Sequence, residues 1–221
     1  MIKVEAIEVF GIEGAMRGMR NPLNSWDKAD TTVSDDILEI GENDLNLATR
    51  LIKAGTEHRK FLRMIHVQMD VIVPLYWWKE ADTYKVGTTT NSCSTMHKIA
   101  AKEFTLDDFS HDHLFNDAVV YNGYVSTSVL KCVIGALNEF RNLYLETKDK
   151  RYWWQMIQLL PSSYNQRRTW DMSMETLLSI LHQRKNHKLD EWNEFRDICL
   201  EQVPYLKEFY EASLKETTNE N

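Results

Sequence analysis

The sequence predicts an α+β fold in one domain, with a small sheet drawn from the N-terminal half and a helix-rich C-terminal half. Three observations carry this. Two short runs, residues 2–10 and 65–73, have strand character. From Ser126 onward, apolar residues recur at three- and four-residue steps, the period of a helix packed on one side. No internal repeat or low-complexity linker divides the 221 residues, a length that supports one good core.

The elements follow in order. Residues 2–10 alternate apolar and charged side chains with one slip, the mark of a half-buried strand. Residues 15–30 lack periodicity and read as a short helix and a loop. Arg17 and Arg20 there are read as solvated, the commoner state for arginine, with a nearby anion as the alternative. Residues 31–43 are acidic and polar, a surface loop. Asp44 reads as the N-cap of a helix over 45–54, which Gly55 stops. Thr56 caps a second short helix that ends near Met64, with His58, Arg59, Lys60 and Arg63 on its solvated faces. Residues 95–101 read as helical. His111 and His113 lie among Asp108, Asp112 and Asp117, but the spacing matches no strong ligand pattern and no metal is expected.

The clearest helix is 126–147, on the stripe Val129, Val133, Leu137, Phe140 and Tyr144, with Leu130, Ile134 and Leu145 widening it. Residues 149–160 form another, stopped by Pro161. Residues 162–171 read as a polar connection. Ser173 caps the next helix, whose inner face is Leu177, Leu178 and Leu181. Arg184 falls seven residues after Leu177, on the same inward face, where a guanidinium needs an anion. Asp190 starts a last helix with Trp192, Phe195 and Cys199 inward; Pro204 breaks it, and Leu206, Phe209 and Tyr210 continue a stripe. Residues 1–214 are thus expected as a single domain, and 215–221 as a polar tail that frays.

The totals narrow the function. A net charge of -7 repels a nucleic-acid polymer. Three scattered cysteines with no CxxC fit a reduced interior, and no apolar run reaches membrane length. A soluble, cytoplasmic protein is expected. No Cys-His or Ser-His-Asp arrangement stands out, so no catalytic side chain is nominated.

Residues 74–94 hold the densest chemistry. Rings (Tyr76, Trp77, Trp78, Tyr84), charges (Lys79, Glu80, Asp82, Lys85) and a row of hydroxyls crowd together. A pocket for a planar, phosphorylated ligand needs all three types. An aromatic core corner with a solvated polar edge would also produce them, and the residues alone leave both readings open.

The order of motifs resembles the flavin-dependent thymidylate synthase family over most of the chain. One block reads Leu160-Pro161 and then Arg167, a capped helix reaching Arg184, and an acidic helix with Glu191-Trp192 and Arg196. In an earlier block His66-Val67 matches the family's strand, and Trp77 falls at an aromatic position. The family's Gln is Tyr76 here, its Arg-His-Arg becomes Lys79-Glu80-Ala81, and its loop Ser and Arg fall near Thr89 and Asn91. The resemblance implies a small, mainly antiparallel sheet. It also implies transfer of a one-carbon unit from methylenetetrahydrofolate to C5 of dUMP or a closely related pyrimidine nucleotide. FAD and NADPH would serve the reaction, in a homotetramer. Carried over residue by residue, Arg167, Arg184, Tyr76, Thr89 and Asn91 are expected at the substrate, and Lys79, Glu80, Trp77 and Trp78 at the flavin. A non-catalytic nucleotide binder on the same fold is the alternative.

Overall fold

A computed structural model describes residues 2–35, 37–116 and 125–214. The fold is α+β with a small antiparallel sheet, and helix dominates. Four strands, β1 (Lys3–Phe10), β4 (His66–Pro74), β5 (Thr88–Ser92) and β6 (Asn165–Ser173), are hydrogen-bonded in the order β1-β4-β6-β5. A separate antiparallel hairpin pairs β2 (Thr32–Ser34) with β3 (Ile37–Glu39). The chain divides into two compact units, both discontinuous in sequence. Among the described residues no helix is long and apolar enough to cross a membrane.

The first unit comprises Met1–Lys3, Val71–Thr83 and Asn91–Arg168. It holds α3 (Leu75–Ala81), α4 (Thr95–Lys98), α5 (Ser126–Thr147) and α6 (Lys150–Leu159). The hairpin of α5 and α6 supplies its core: Leu130, Ile134, Leu137 and Met156 pack on Ile99, Phe104 and Phe109. Asp149 caps α6 by accepting from the Arg151 N–H. Where β4 ends, α3 begins at once, and the Leu75 N–H donates to Tyr164 O at 3.0 Å.

The second unit comprises Val4–Asp70, Tyr84–Thr90 and Thr169–Asn221. It holds α1 (Ile12–Met19), α2 (Glu42–Lys53), α7 (Met174–Gln183), α8 (Asp190–Gln202) and α9 (Leu206–Leu214). Here α2 packs on α9 and α1, and Phe61 meets Phe209 edge to face. The slip in the β1 pattern has a backbone counterpart. Ala6 takes a left-handed φ of 49°, and the inward positions then resume at Ile7 and Val9. Gly11 must be glycine: its φ is +83°, and a Cβ there would sit 2.4 Å from Met64 O.

Several sequence expectations are corrected. Residues 31–43 hold the β2–β3 hairpin, not a loop alone. Residues 162–171 hold most of β6, not a connection. Gly41, not Asp44, precedes α2, and Asp44 is buried in its first turn. The basic segment after Thr56 forms only a 3-10 turn over Lys60–Met64. Arg20 is not solvated; it is 2% exposed and paired with Asp44. The polar tail at 215–221 and Asp117 lie outside the described residues.

Candidate functional site

The first unit contains a cavity of about 860 Å³. Three segments build it: the start of β6 with Tyr164, the chain from Cys93 to Lys102, and the chain from Phe104 to Asp112. Each is fastened for a local reason. Ser94 caps α4, its side chain accepting from the His97 N–H at 3.0 Å. Trp153 on α6 donates to Met96 O, and Arg141 on α5 donates to Ala100 O. Asn138 on α5 bonds both the N–H and the C=O of Phe104, at 2.8 and 2.9 Å. The side chains of Thr105 and Asp108 close a capping box. Phe109 bridges to Tyr164, and the Ser110 N–H donates to Ser163 O at 2.7 Å.

The rim between Cys93 and β6 is held most tightly. The Cys93 N–H donates to Arg167 O at 2.9 Å, and Gln166 donates its amide to Cys93 O at 2.8 Å. Arg168 bonds Gln166 Oε1 at 3.0 Å and Asp82 at 2.7 Å, and lies over the Trp78 ring at 4.3 Å. Trp78 in turn donates its indole N–H to Gln166 O at 2.9 Å. The backbone beside Arg167 is therefore fixed from both sides.

The wall carries both signs of charge. Lys98, Lys102 and Arg167 face it, with Asp107, Asp108 and Asp112. Hydrogen bonding to Asp108 raises the Lys102 pKa, so that ammonium stays charged. Burial raises the Tyr164 pKa, keeping its hydroxyl protonated. The Oδ1 of Asn165 is buried without a hydrogen-bond partner. Such a wall can hold a ring beside Tyr164 and Phe109, an anion at the cations, and a hydrogen-bonding edge at the amides.

The nine nominated residues are divided between the two units. Arg167 is on the cavity wall. Tyr76 touches the wall through its hydroxyl, 3.0 Å from Ser110 Oγ. Lys79 and Asn91 are exposed, on α3 and β5, and Glu80 is half-buried on α3. Trp77 and Trp78 are 0% and 1% exposed and meet edge to face at 5.2 Å, so they are core residues whose faces no ligand can reach. Thr89 is exposed on the second-unit part of β5. Arg184, also in the second unit, ends α7 half-buried. It donates to the Tyr84 hydroxyl at 2.8 Å, lies 4.9 Å from the Trp192 ring centre, and meets His187 Nε2 at 3.2 Å. Sequence reasoning missed Lys98, Lys102 and Tyr164. Lys98 and Lys102 stand four residues apart behind the Ser94 cap, a spacing that could have drawn attention to them.

Among the described residues, no group of three or more His, Cys, Asp or Glu side chains is placed to hold a metal.

No protein-family profile matches the chain, and no curated protein matches it. Solved structures do. Thymidylate synthase X from Helicobacter pylori, crystallised with FAD and dUMP, is 14% identical with a TM-score of 0.68; the match covers 96% of this chain and 99% of that one. A second structure of the flavin-dependent thymidylate synthase from Helicobacter pylori, again with FAD and dUMP, is 15% identical with a TM-score of 0.68, over 95% and 99%. The UMP/dUMP methylase PolB from Streptomyces cacaoi, bound with 5-Br dUMP, is 15% identical with a TM-score of 0.64, over 97% and 95%. At these identities the likeness establishes the fold.

Proposed function

We propose that the chain binds a pyrimidine nucleotide, dUMP or a close relative, in the first-unit cavity. We further propose that it acts as a one-carbon transferase at C5 of that nucleotide. One observation carries the reading. Arg167 stands on the wall of an 860 Å³ cavity lined by rings and both signs of charge. The fold is shared with proteins crystallised with dUMP and 5-Br dUMP. In this reading Arg167 and Lys98 take the phosphate, and Tyr164 packs on the base. Tyr76 holds Ser110 in place behind it. Asn91, in the same unit, remains a proposed contact of the nucleotide; Thr89 and Arg184 remain proposed nucleotide-binding residues from their sequence motifs. NADPH, methylenetetrahydrofolate and a homotetramer belong to the same proposal.

The fit to FAD is poor at the residues expected to hold it. Trp77 and Trp78 are spent on the core, and the family's three cations are replaced by Lys79-Glu80-Ala81. That misfit favours a second reading, a nucleotide binder without catalysis. Calorimetry with dUMP tests the shared part. Arg167→Ala should weaken dUMP binding about 10- to 100-fold, the worth of a charge-assisted hydrogen bond, while stability changes by less than about 0.5 kcal/mol. Unchanged affinity would sink both readings. Release of tritium from C5-labelled dUMP with methylenetetrahydrofolate, NADPH and FAD separates them: release supports the transferase, and binding without release supports the binder.

A further inference from the structure

The second unit has its own cavity, of about 380 Å³, between the end of α1 and the outer face of α2. Its wall contains Arg20, Lys28 and Arg50, with Ser25, Asn43 and Asn46, and no carboxylate. Two leucine side chains complete it. Arg20 is the unusual member, because it is 2% exposed. Its Nε bonds Asp44 at 2.5 Å, and its Nη1 bonds Ser25 O at 3.2 Å and Ser25 Oγ at 3.4 Å. Its Nη2 is buried with no acceptor. Buried donors are almost always satisfied, and this guanidinium, part of the cavity wall, keeps one donor unspent.

Asp44 cannot be that acceptor. Its second oxygen is taken by the N–H groups of Asp30 and Thr31 and by the Thr31 hydroxyl. It cancels one of the three positive charges and leaves two facing the cavity. Among the described residues no carboxylate pairs with Lys28 or Arg50, and two such cations match a dianion. The volume equals that of about a dozen waters, more than a bare phosphate fills. The serine and two asparagines could meet hydroxyls, and the leucines could meet carbon.

We infer that this cavity is an anion site for the phosphate of a small phosphorylated molecule of sugar size, with Arg20, Lys28 and Arg50 as its cations. It is independent of the first-unit cavity and of any reading of that cavity.

The test uses the full-length Arg167→Ala protein, so that the other cavity contributes less. Inorganic phosphate and glycerol phosphate are titrated by calorimetry at constant ionic strength. Saturable binding is expected, and Lys28→Glu with Arg50→Glu should weaken it at least tenfold. Both substituted residues are exposed, so the variant keeps its fold, which circular dichroism checks. Tighter binding of glycerol phosphate than of inorganic phosphate supports a phosphate ester as the ligand; equal or weaker binding overturns the ester and leaves a site for the free anion. No saturable binding of either probe at millimolar concentration, or binding undiminished in the double variant, overturns it.

Discussion

The two units deal with buried arginine differently. In the second, Arg20 is sealed at 2% exposure and held by a carboxylate that is itself fully bonded. In the first, Arg168 leans on a ring, with its side chain 14% exposed and its partner Asp82 half in solvent. A buried charge pair is costly to break from either side, because loss of one partner leaves the other desolvated. A charge laid on an indole is graded, because the stack, the amide bond and the exposed carboxylate each supply a part. The first arrangement stiffens α1 against α2; the second tunes the rim of a cavity.

The sharpest way to break the contrast is Asp44→Ala. It strands the Arg20 guanidinium and frees two backbone donors, so a loss of about 3–5 kcal/mol is expected, measured by urea unfolding. A loss below about 1 kcal/mol would mean that Arg20 finds water or another acceptor, and the sealed description would be wrong.

Acid should reach the same pair more gently. Burial pushes the Asp44 pKa up, but its bonds to Thr31, Arg20 and the backbone outweigh that and leave it below 3.8. A depressed carboxylate stabilises above its unfolded pKa, and that stability is lost as pH falls through the folded value. His182 adds to this. Burial lowers its pKa below 6.5, with its ring stacked on Tyr210 at 4.5 Å. The unfolded chain then takes a proton first, so stability falls as pH drops from 6.5. Hydrogen exchange should loosen α7 and α9 from about pH 6 downward and α2 only near pH 4. Lys102 in the first unit runs the other way: its raised pKa gives stability below 10.5 that is lost at higher pH. Exchange in the chain around Phe104, corrected for the intrinsic base-catalysed rate, should therefore quicken in alkali.

Arg168→Ala probes the graded arrangement. It removes the stack on Trp78 and the bond that orients Gln166, for a cost of about 1–3 kcal/mol. Its distinctive effect is local. With Gln166 no longer steered, Cys93 should exchange its amide faster and react faster with a thiol reagent, while Cys132, also exposed, is unaffected. Equal quickening at both cysteines would point to general loosening instead.

How far these features could be read in advance depends on whether a residue's type matched its burial. The helices over 126–147 and 190–202 were legible because their inner faces are leucines, isoleucines and large rings at helical spacing. The strand β6 was not, because Gln166 and Arg168 occupy positions that an apolar alternation would fill. Apart from their bond to each other, they are met by Trp78, Asp82 and Cys93, all distant in sequence. Arg20 was misread as solvated for the same reason, its partner lying 24 residues away. In the candidate site, Arg167 stood out by its motif. Lys98, Lys102 and Tyr164 did not, since each depends on a fold-made wall. The rings of Trp77 and Trp78 looked like ligand chemistry because composition cannot distinguish a stacked ligand from a stacked core.

The smallest effect concerns the two serine caps. Ser173 joins β6 directly to the ten-residue α7 and is 9% exposed, its hydroxyl accepting from the Thr176 N–H at 3.2 Å and meeting Thr176 Oγ1 at 3.0 Å. Ser94 caps the four-residue α4 at the cavity rim. Replacing Ser173 by Ala leaves a part-buried N–H unsatisfied at the start of a helix whose apolar face is locked, so a loss of about 1 kcal/mol should appear in global stability. Replacing Ser94 by Ala lets a single frayed turn find water, so global stability should fall by only a few tenths of a kcal/mol. The same change should still weaken dUMP binding if the 93–102 chain forms part of the site, because Lys98 rides on that turn. Matched losses of stability from the two substitutions, with dUMP affinity untouched by either, would show that the Cys93–Lys102 rim is as rigid as the core and has no part in holding the ligand.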